Sequence, residues 1–484
     1  MEFNTVKETD VLIVGAGPTG LVLACDLARR GVRCLLVERA GRLFPGSRGK
    51  GIQPRTMEVF DDLGVLDAIR AHGGSYQVGV IWQNGERRGE HRMFDEVPPT
   101  EAAPYAGPWM VPQWRTQEIL HERLRTLGGG VAFGRELTGL TQDAEAVTAT
   151  FTTGAPVRAR YAVAADGGRS TVRRLLGIGM TGETVDPNPT LVADVRVTGL
   201  DRENLHVFPP ADGAGFLVLW PLAGVEDFQL VANFEDGTAV PDLSLEGIRK
   251  LVATRTHLPA DAVTEVRWAS DFRPRAAMAD RFRAGRVFLS GDAAHVHSPA
   301  GGQGLNTSVQ DAYNLGWKLA AVLREGAAEA LLDSYEEERL PVAAEALGLS
   351  TKVHRGQVRR GEATGQLRLG YRGSSLAVET RTGLPEDALH AGDRAPDGRR
   401  GGLRLFDAFR GPHWTLLAVG TEAELPAPAP ERVHVVRIPP YEAYGAGVFL
   451  VRPDGYVGWA GATADGLTGY TARVIGAPGS RVSP

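Results

Sequence analysis

Hydrophobic and polar positions along this chain fall into two textures. At the N-terminus, DVLIVGAG (10–17) is an unbroken apolar run closed by glycine, the pattern of a strand buried on both faces. LVLACDLARRG (21–31) carries apolar residues at helical spacing and stops at Gly31. VRCLLVE (32–38) returns as a second buried strand ending at Glu38. Strand, glycine turn, helix and strand make one βαβ unit, the opening of a doubly wound sheet.

From Gly73 the texture changes. SYQVGVIWQNGERRGEHRMF alternates like a half-exposed hairpin, with Asn84-Gly85 as its two-residue turn. TLVADVRVTG, GFLVLWPLAG and DFQLVANFED (190–236) repeat that alternation, as does VTEVRWASDF (263–272). These runs predict an antiparallel sheet. Residues 110–182 return to helix-plus-strand character, and RVFLSGDAAH (286–295) reads as a buried strand ending in a turn. The expected architecture is therefore α/β. A discontinuous Rossmann-type domain (1–72, 110–182 and 271–345) carries an inserted antiparallel-sheet domain (73–109 and 183–270). A helical linker (346–388) leads to a C-terminal module (389–484) with strands in TLLAVG, RVHVVRI and GVFLVRPDGYVGWAG.

Composition narrows the class. The 484 residues carry a formal net charge of −5, with 43% hydrophobic and 23% charged residues, values of an ordinary globular protein of several domains. The slightly acidic balance argues against nucleic acid as a partner, because phosphate binding needs clustered positive charge. Cys25 and Cys34 are too few for a disulfide scaffold or a cysteine-ligated zinc site, and read as small buried hydrophobes. The N-terminus MEFNTVKETD is polar and no run approaches the ~18 apolar residues of a membrane span. A cytoplasmic protein without a membrane partner is expected.

The chemistry starts at Gly15-Ala16-Gly17-Pro18-Thr19-Gly20. The first glycine permits the tight turn, the second lets the backbone approach a pyrophosphate, and the third allows close helix–strand packing. Glu38, at the end of the second strand, is placed to accept both hydroxyls of a ribose. A carboxylate there disfavours a 2′-phosphate, so the unit suits FAD or NAD rather than NADP. Gly177-Ile178-Gly179-Met180-Thr181-Gly182 matches the same pattern but follows a helix and precedes none, so it reads as loop punctuation.

Two later clusters close strands and enter helices: Ala165-Asp166-Gly167-Gly168-Arg169-Ser170, and GDAAHVHSPAGGQGLN (291–306) followed by the amphipathic TSVQDAYNLGWKLAAVL. Together with the first glycine cluster, in this order, they resemble the class A single-component flavoprotein aromatic monooxygenases, of the p-hydroxybenzoate-hydroxylase-like fold. The likeness covers about residues 10–345 and is nearest to the branch acting on aromatic polyketides and antibiotics. The resemblance implies that Gly15, Gly17, Pro18, Thr19 and Gly20 hold the FAD pyrophosphate and that Glu38, with Arg39 beside it, holds the adenosine ribose. It implies that Arg48 and Gln113 contact the cofactor, that Asp166 belongs to a flavin and nicotinamide element, and that Gly291 and Asp292 bind the ribityl or pyrophosphate region. Gly302, Gly304, Leu305 and Asn306 would wrap the flavin ring, with Pro299 as the wall beside the oxygen adduct. That last placement makes independent sense, since reduced flavin is anionic at its pyrimidine edge and a helix start supplies partial positive charge there.

The implied cofactor set is FAD, with NADPH or NADH as a transient co-substrate and O2, the oxygen being carried as a flavin hydroperoxide. His295 and His297 form an HxH pair, but no third ligand follows at useful spacing, so no metal is expected. Trp82, Phe94, Trp109, Phe216 and Trp220 are candidates for an aromatic substrate pocket, and Tyr76, His91, Tyr105 and His206 for a base. The C-terminal module resembles the thioredoxin-like domain appended to such hydroxylases. It contains no cysteine, which excludes thiol chemistry and leaves a packing or homodimerisation role. The expected reaction is NAD(P)H-dependent hydroxylation of a polycyclic phenolic small molecule. Baeyer–Villiger insertion on the same scaffold stays open. The flavin halogenases are disfavoured by the lack of a WxWxIP segment. A plain NAD-dependent dehydrogenase or a non-catalytic flavin-fold scaffold are the rivals from other classes.

Overall fold

The computed structural model describes residues 6–95, 97–210, 215–426 and 432–475. Strand β1 (Lys7–Val14) runs into a glycine turn and helix α1 (Pro18–Arg29), then β2 (Cys34–Val37). Pro18 opens α1 at a position whose N–H would be unpaired anyway, and Gly31, at φ +72°, ends the turn that follows it. Strands β3 (Val157–Ala164) and β4 (Val287–Leu289) complete the layer. The parallel order is β4, β3, β1, β2 and Val131–Ala132, extended by the antiparallel hairpin Leu137–Gln142 and Val147–Phe151 on β3. Val11, Leu12 and Ile13 have no exposed surface, which is why their stretch of sequence lacks alternation.

Helix α2 (Gly304–Arg324) lies buried against α1, and α3 (Asp333–His354) packs beside it. Gly316 makes the α1 contact possible, because a Cβ there would stand 2.2 Å from Asp26 Oδ2. Asp26 is itself buried and paired with Arg29 and Arg30.

The inserted sheet has seven strands in the order Val263–Phe272, Thr190–Val197, Phe228–Asn233, Leu217–Pro221, Leu205–Phe208, Gly79–Gln83 and Glu86–His91. All its pairs are antiparallel except Leu205–Phe208 with Gly79–Gln83. Asn84 and Gly85, both at positive φ, make the two-residue turn of the edge hairpin. The period-2 alternation separates two faces. Phe208, Leu217 and Leu219 face Ile248 and Val252 of helix Leu245–Arg255, whose first turn is capped by Ser244 Oγ accepting the Gly247 N–H. Leu205, Val207, Val218 and Trp220 face the other way, onto Met110 and Tyr76.

The stretch expected as a helical linker (346–388) is helical only as far as His354. Beyond it stand one 3₁₀ turn (Glu362–Gly365) and the short strand Val378–Glu379. Gly356, Gly361, Gly365, Gly370 and Gly373 deny that stretch a helical run. Val378–Glu379 pairs with Val457–Gly461, so the C-terminal sheet takes a strand from before residue 389. That sheet has the order Val378–Glu379, Val457–Gly461, Gly447–Val451, Trp414–Val419, Val433–Ile438. It docks through a buried ion cluster: Arg452 pairs with Glu338 and Asp454, Lys318 with Glu338 at 2.7 Å, and Trp317 Nε1 donates to Asp454. Among the described residues no helix is long and apolar enough to cross a membrane.

Candidate cofactor and substrate site

The β1–α1 turn is shaped by what its glycines exclude. Gly15 sits at φ +105°, and a Cβ on it would lie 2.4 Å from the Ala165 carbonyl oxygen; one on Gly20 would lie 2.0 Å from the Gly15 carbonyl oxygen. Gly17 differs. No atom stands within 4 Å of its Cβ position, so the backbone there faces open space. Gly17 is also the N-cap of α1, with no side chain capping it and no acidic residue in the first turn, leaving N–H groups and the positive end of the helix unspent. Thr19 is buried against Gly291, whose φ of +63° and close neighbours Thr19 and Ser308 also exclude a side chain.

Glu38 fixes this turn from below. Its Oε2 accepts the Ala16 N–H at 2.9 Å and its Oε1 the Ala40 N–H at 3.0 Å, which leaves lone pairs on both oxygens for a ribose. Arg39 is exposed beside it.

Asp292 describes the cleft best. It is exposed to solvent, yet surrounded by protein closely enough that burial pushes its carboxyl above the usual range, against the pull of His295 and Arg48. A carboxylate with these two properties stands at the floor of an open groove. Arg48 is close enough to attract it through space, and its guanidinium lies 5.3 Å from the Phe44 ring and 5.8 Å from that of Trp268. Gln113 Oε1 accepts the Gly49 N–H at 2.9 Å, so it holds the Arg48 segment in place. Asp166 accepts the N–H groups of Thr171 and Val172 on Oδ2, while its Oδ1 is buried without a partner.

The loop after Asp292 wraps back to α2. Asn306 is fully buried: its Nδ2 donates to the carbonyls of Gly51 and Gly302, and its Oδ1 accepts the Gln53 N–H at 2.8 Å. Its side chain therefore staples the loop, leaving the backbone N–H groups of Gly304 and Leu305 at an α2 start with no acidic residue in the first turn. Gly302 is at φ +62° and Pro299 is exposed. His295 uses both ring nitrogens, bonding Asp311 at 2.6 Å and His297 at 2.9 Å, while His297 Nδ1 is buried without a partner.

These features fit FAD. An open backbone at Gly17, an unpartnered Asp166 oxygen, an accessible carboxylate facing an arginine, and two uncapped helix starts are what a dinucleotide with an anionic ring would complete.

The aromatic candidates separate. Trp220 and Phe94 meet around Tyr76, in edge contacts at 4.9 and 4.4 Å. Trp82 lies on the opposite, helix-covered face, its Nε1 donating to His206 Nδ1 at 3.1 Å. Trp109 donates to the Ile69 carbonyl within the Rossmann core, and Phe216 precedes its strand with its backbone on Asn233 and Arg255. The three are thus not part of one pocket; alternation put Trp82 on the wrong face and the fold put the other two elsewhere.

Of the base candidates, Tyr76 donates to Met93 Sδ, and burial pushes its hydroxyl far up. Tyr105 donates to Asp61 beside Arg404, at the C-terminal module. His206 is buried, bonded to the Asp201 carbonyl, with burial lowering its pKa. His91 ends an exposed edge strand. Only Tyr76 belongs to the aromatic wall. Lys50, Asp194 and Gln229, which the structure gathers beside Trp220, were missed by the sequence reading. The available signal was a lysine between two glycines after Arg48 and a lone acid in the apolar TLVADVRV run.

Residues 8–350 match the FAD binding domain family, and 389–478 the family described as aromatic-ring hydroxylase, C-terminal. A flavin-dependent monooxygenase of Mycobacteroides abscessus is 48% identical over 96% of this chain and 100% of that one. A rifampicin monooxygenase of Streptomyces venezuelae is 35% identical over 93% and 95%. The crystal structure of aklavinone-11 hydroxylase with FAD and aklavinone superposes with a TM-score of 0.82 at 31% identity, covering 97% of this chain and 99% of that one. The chain belongs to the FAD-dependent aromatic-ring hydroxylase family and is a flavin-dependent monooxygenase.

Proposed function

We propose that this enzyme hydroxylates a polycyclic phenol of the aromatic polyketide or antibiotic class, using NADPH or NADH and O2. The observation that carries the reading is the run Gly49-Lys50-Gly51, which joins the two halves of the site. Gly51 is bonded to Asn306 and Gly49 lies against Leu305 at the start of α2, while Lys50 Nζ stands 3.6 Å from the Trp220 ring centroid. An aromatic wall of Trp220, Tyr76 and Phe94 is thereby set one short segment away from the flavin loop. The relatives named for rifampicin and aklavinone support the substrate class.

Bound FAD supplies the redox chemistry, hydride uptake from the nicotinamide and oxygen activation. The chain supplies the rest. Backbone N–H groups at the start of α2 stabilise negative charge at the ring's edge. Pro299, having no N–H, leaves its side of the site without a competing donor. Trp220, Tyr76 and Phe94 stack the substrate ring and keep water from it.

The test is oxygen-dependent NADPH consumption by the flavin-loaded protein, with alizarin, quinizarin and rifampicin as probes. Stimulation by at least one, with a product hydroxylated on a ring carbon, supports the reading. Failure of every aromatic probe to stimulate turnover would overturn it, and a ring-expanded product would replace hydroxylation by Baeyer–Villiger insertion.

A further inference from the structure

Lys50 keeps intermediate solvent exposure as a residue, while its amine is enclosed by protein. Its Nζ stands over the face of Trp220 and donates to Gln229 Oε1. Gln229 in turn donates from Nε2 to the Ser47 carbonyl, which fixes the amide so that its oxygen points at the lysine. Strand pairing sets Gln229 opposite Asp194. Asp194 is 2% exposed, and Ser47 and Lys50 are the neighbours that favour its charged form. Asp194 and Lys50 attract one another through space, but among the described residues no carboxylate is in ion-pair contact with Lys50. Arg360 faces the same space, its guanidinium 5.3 Å from the Phe94 ring.

Once it has taken up a proton, Lys50 has three donors. Gln229 takes one and the Trp220 face accommodates the charge, so donor capacity is left towards the pocket that Tyr76, Phe94 and Trp220 wall. A buried amine with bonding capacity left over, beside the buried Asp194 carboxyl, is an arrangement that a phenolic hydroxyl would complete, giving its proton to the nitrogen and then accepting N–H bonds on its oxygen.

We propose that Lys50 takes the proton of the substrate's phenolic hydroxyl and holds the phenolate, with Asp194 as the buried counter-charge. The inference rests on the phenolic reading of the substrate given above. The substrate O–H bond breaks, an N–H bond forms on Lys50, and the electron pair stays on the oxygen; no redox partner is involved. The ring becomes more electron-rich, which favours oxygen transfer to carbon. Burial, with Arg360 facing it, holds Lys50 well below the ordinary lysine range against the pull of Asp194, so the free amine is available as the acceptor. Burial also lifts the Asp194 carboxyl to about 6, against the pull of Ser47 and Lys50. The selectivity that follows is for a free phenol over its methyl ether, which has no proton to give.

The experiment is difference spectroscopy of alizarin binding to the flavin-loaded enzyme across pH, because alizarin shifts to the red on ionisation. Alizarin methyl ethers are the control. Wild type is expected to bind alizarin as the anion at a pH where free alizarin is neutral, and to bind the ethers about tenfold more weakly. Lys50→Met is expected to bind it un-ionised, with flavin content and thermal unfolding measured alongside. Lys50→Arg, which keeps the charge but cannot take up a proton, restores anion binding while the pH dependence of kcat moves to that of the free phenol. Un-ionised alizarin in wild type, or the same ionised fraction in Lys50→Met, overturns the role of Lys50 and leaves the phenol reading standing. If neither alizarin, quinizarin nor rifampicin binds wild type, the phenol reading itself fails and the inference with it.

Discussion

Asp311 Oδ2 stands 2.6 Å from His295 Nε2, and neither side chain has any exposed surface. The same oxygen accepts the Gly291 N–H, and Oδ1 accepts from Arg339 Nε at 2.7 Å. One carboxylate on α2 therefore ties the Gly291-Asp292 turn, the histidine pair leading to the flavin loop, and α3. Burial alone would raise this acid, but His295 and Arg339 outweigh it and hold it at about 2. Since its folded value lies below the unfolded value of 3.8, the stability it gives is complete above pH 4 or so and is lost as pH falls towards 2. Asp311→Asn leaves the Arg339 charge buried and uncompensated, at an expected cost of about 3–5 kcal/mol. Urea unfolding of the flavin-loaded protein at neutral pH measures the cost, and the same titration below pH 4 should show a flattened acid limb.

Flavin retention separates the two kinds of glycine in the first turn. Gly17→Val places its side chain in open space and is expected to fold while losing FAD, because the branched side chain occupies the approach to the α1 N–H groups. Gly15→Ala meets the Ala165 carbonyl and is expected to lower the unfolding temperature as well. Asp292→Ala should fold normally and release FAD more readily. Flavin absorbance after gel filtration, with thermal unfolding of each variant, checks all three.

The two tryptophans of the inserted sheet make a matched pair. Trp220→Ala removes a wall of the aromatic site and is expected to raise KM for an accepted phenol by about tenfold or more. Trp82→Phe, on the helix-covered face, should leave KM within about twofold and appear instead as a small loss of stability. Equal effects on KM would mean that the pocket lies elsewhere.

Glu338 carries both Arg452 and Lys318 with no exposed surface on any of the three. Glu338→Gln leaves an excess of buried positive charge where the C-terminal sheet docks, with an expected loss of about 3–5 kcal/mol. Differential scanning calorimetry should then show the C-terminal module unfolding ahead of the rest.

Much of the cofactor half of the site was legible in the chain, because it is built from consecutive residues. The turn at Gly15 to Gly20, the strand ending at Glu38 and the loop running into α2 are local objects with local patterns. Asn84-Gly85 likewise announced its own hairpin. The substrate half was not legible for the opposite reason. Lys50 meets Gln229 and Asp194 only after the sheet has inserted, and nothing near Lys50 in the chain signals those partners. The sequence listed Trp82 and Trp220 together as candidates, and only the position of helix Leu245–Arg255, which covers Trp82, separates them. The stretch after His354 is not the helix expected of it, because the interspersed glycines do not permit one.

Isotope labelling follows the oxygen atom itself from O2 to an aromatic carbon. The flavin-loaded enzyme is given NADPH, isotopically heavy dioxygen and whichever of alizarin, quinizarin or rifampicin stimulates NADPH oxidation, and the product is analysed by mass spectrometry. One heavy oxygen per product molecule is expected, placed as a new ring hydroxyl, with one NADPH consumed for each. A product that carries oxygen from water, or NADPH consumption that yields only hydrogen peroxide with every probe, would contradict it.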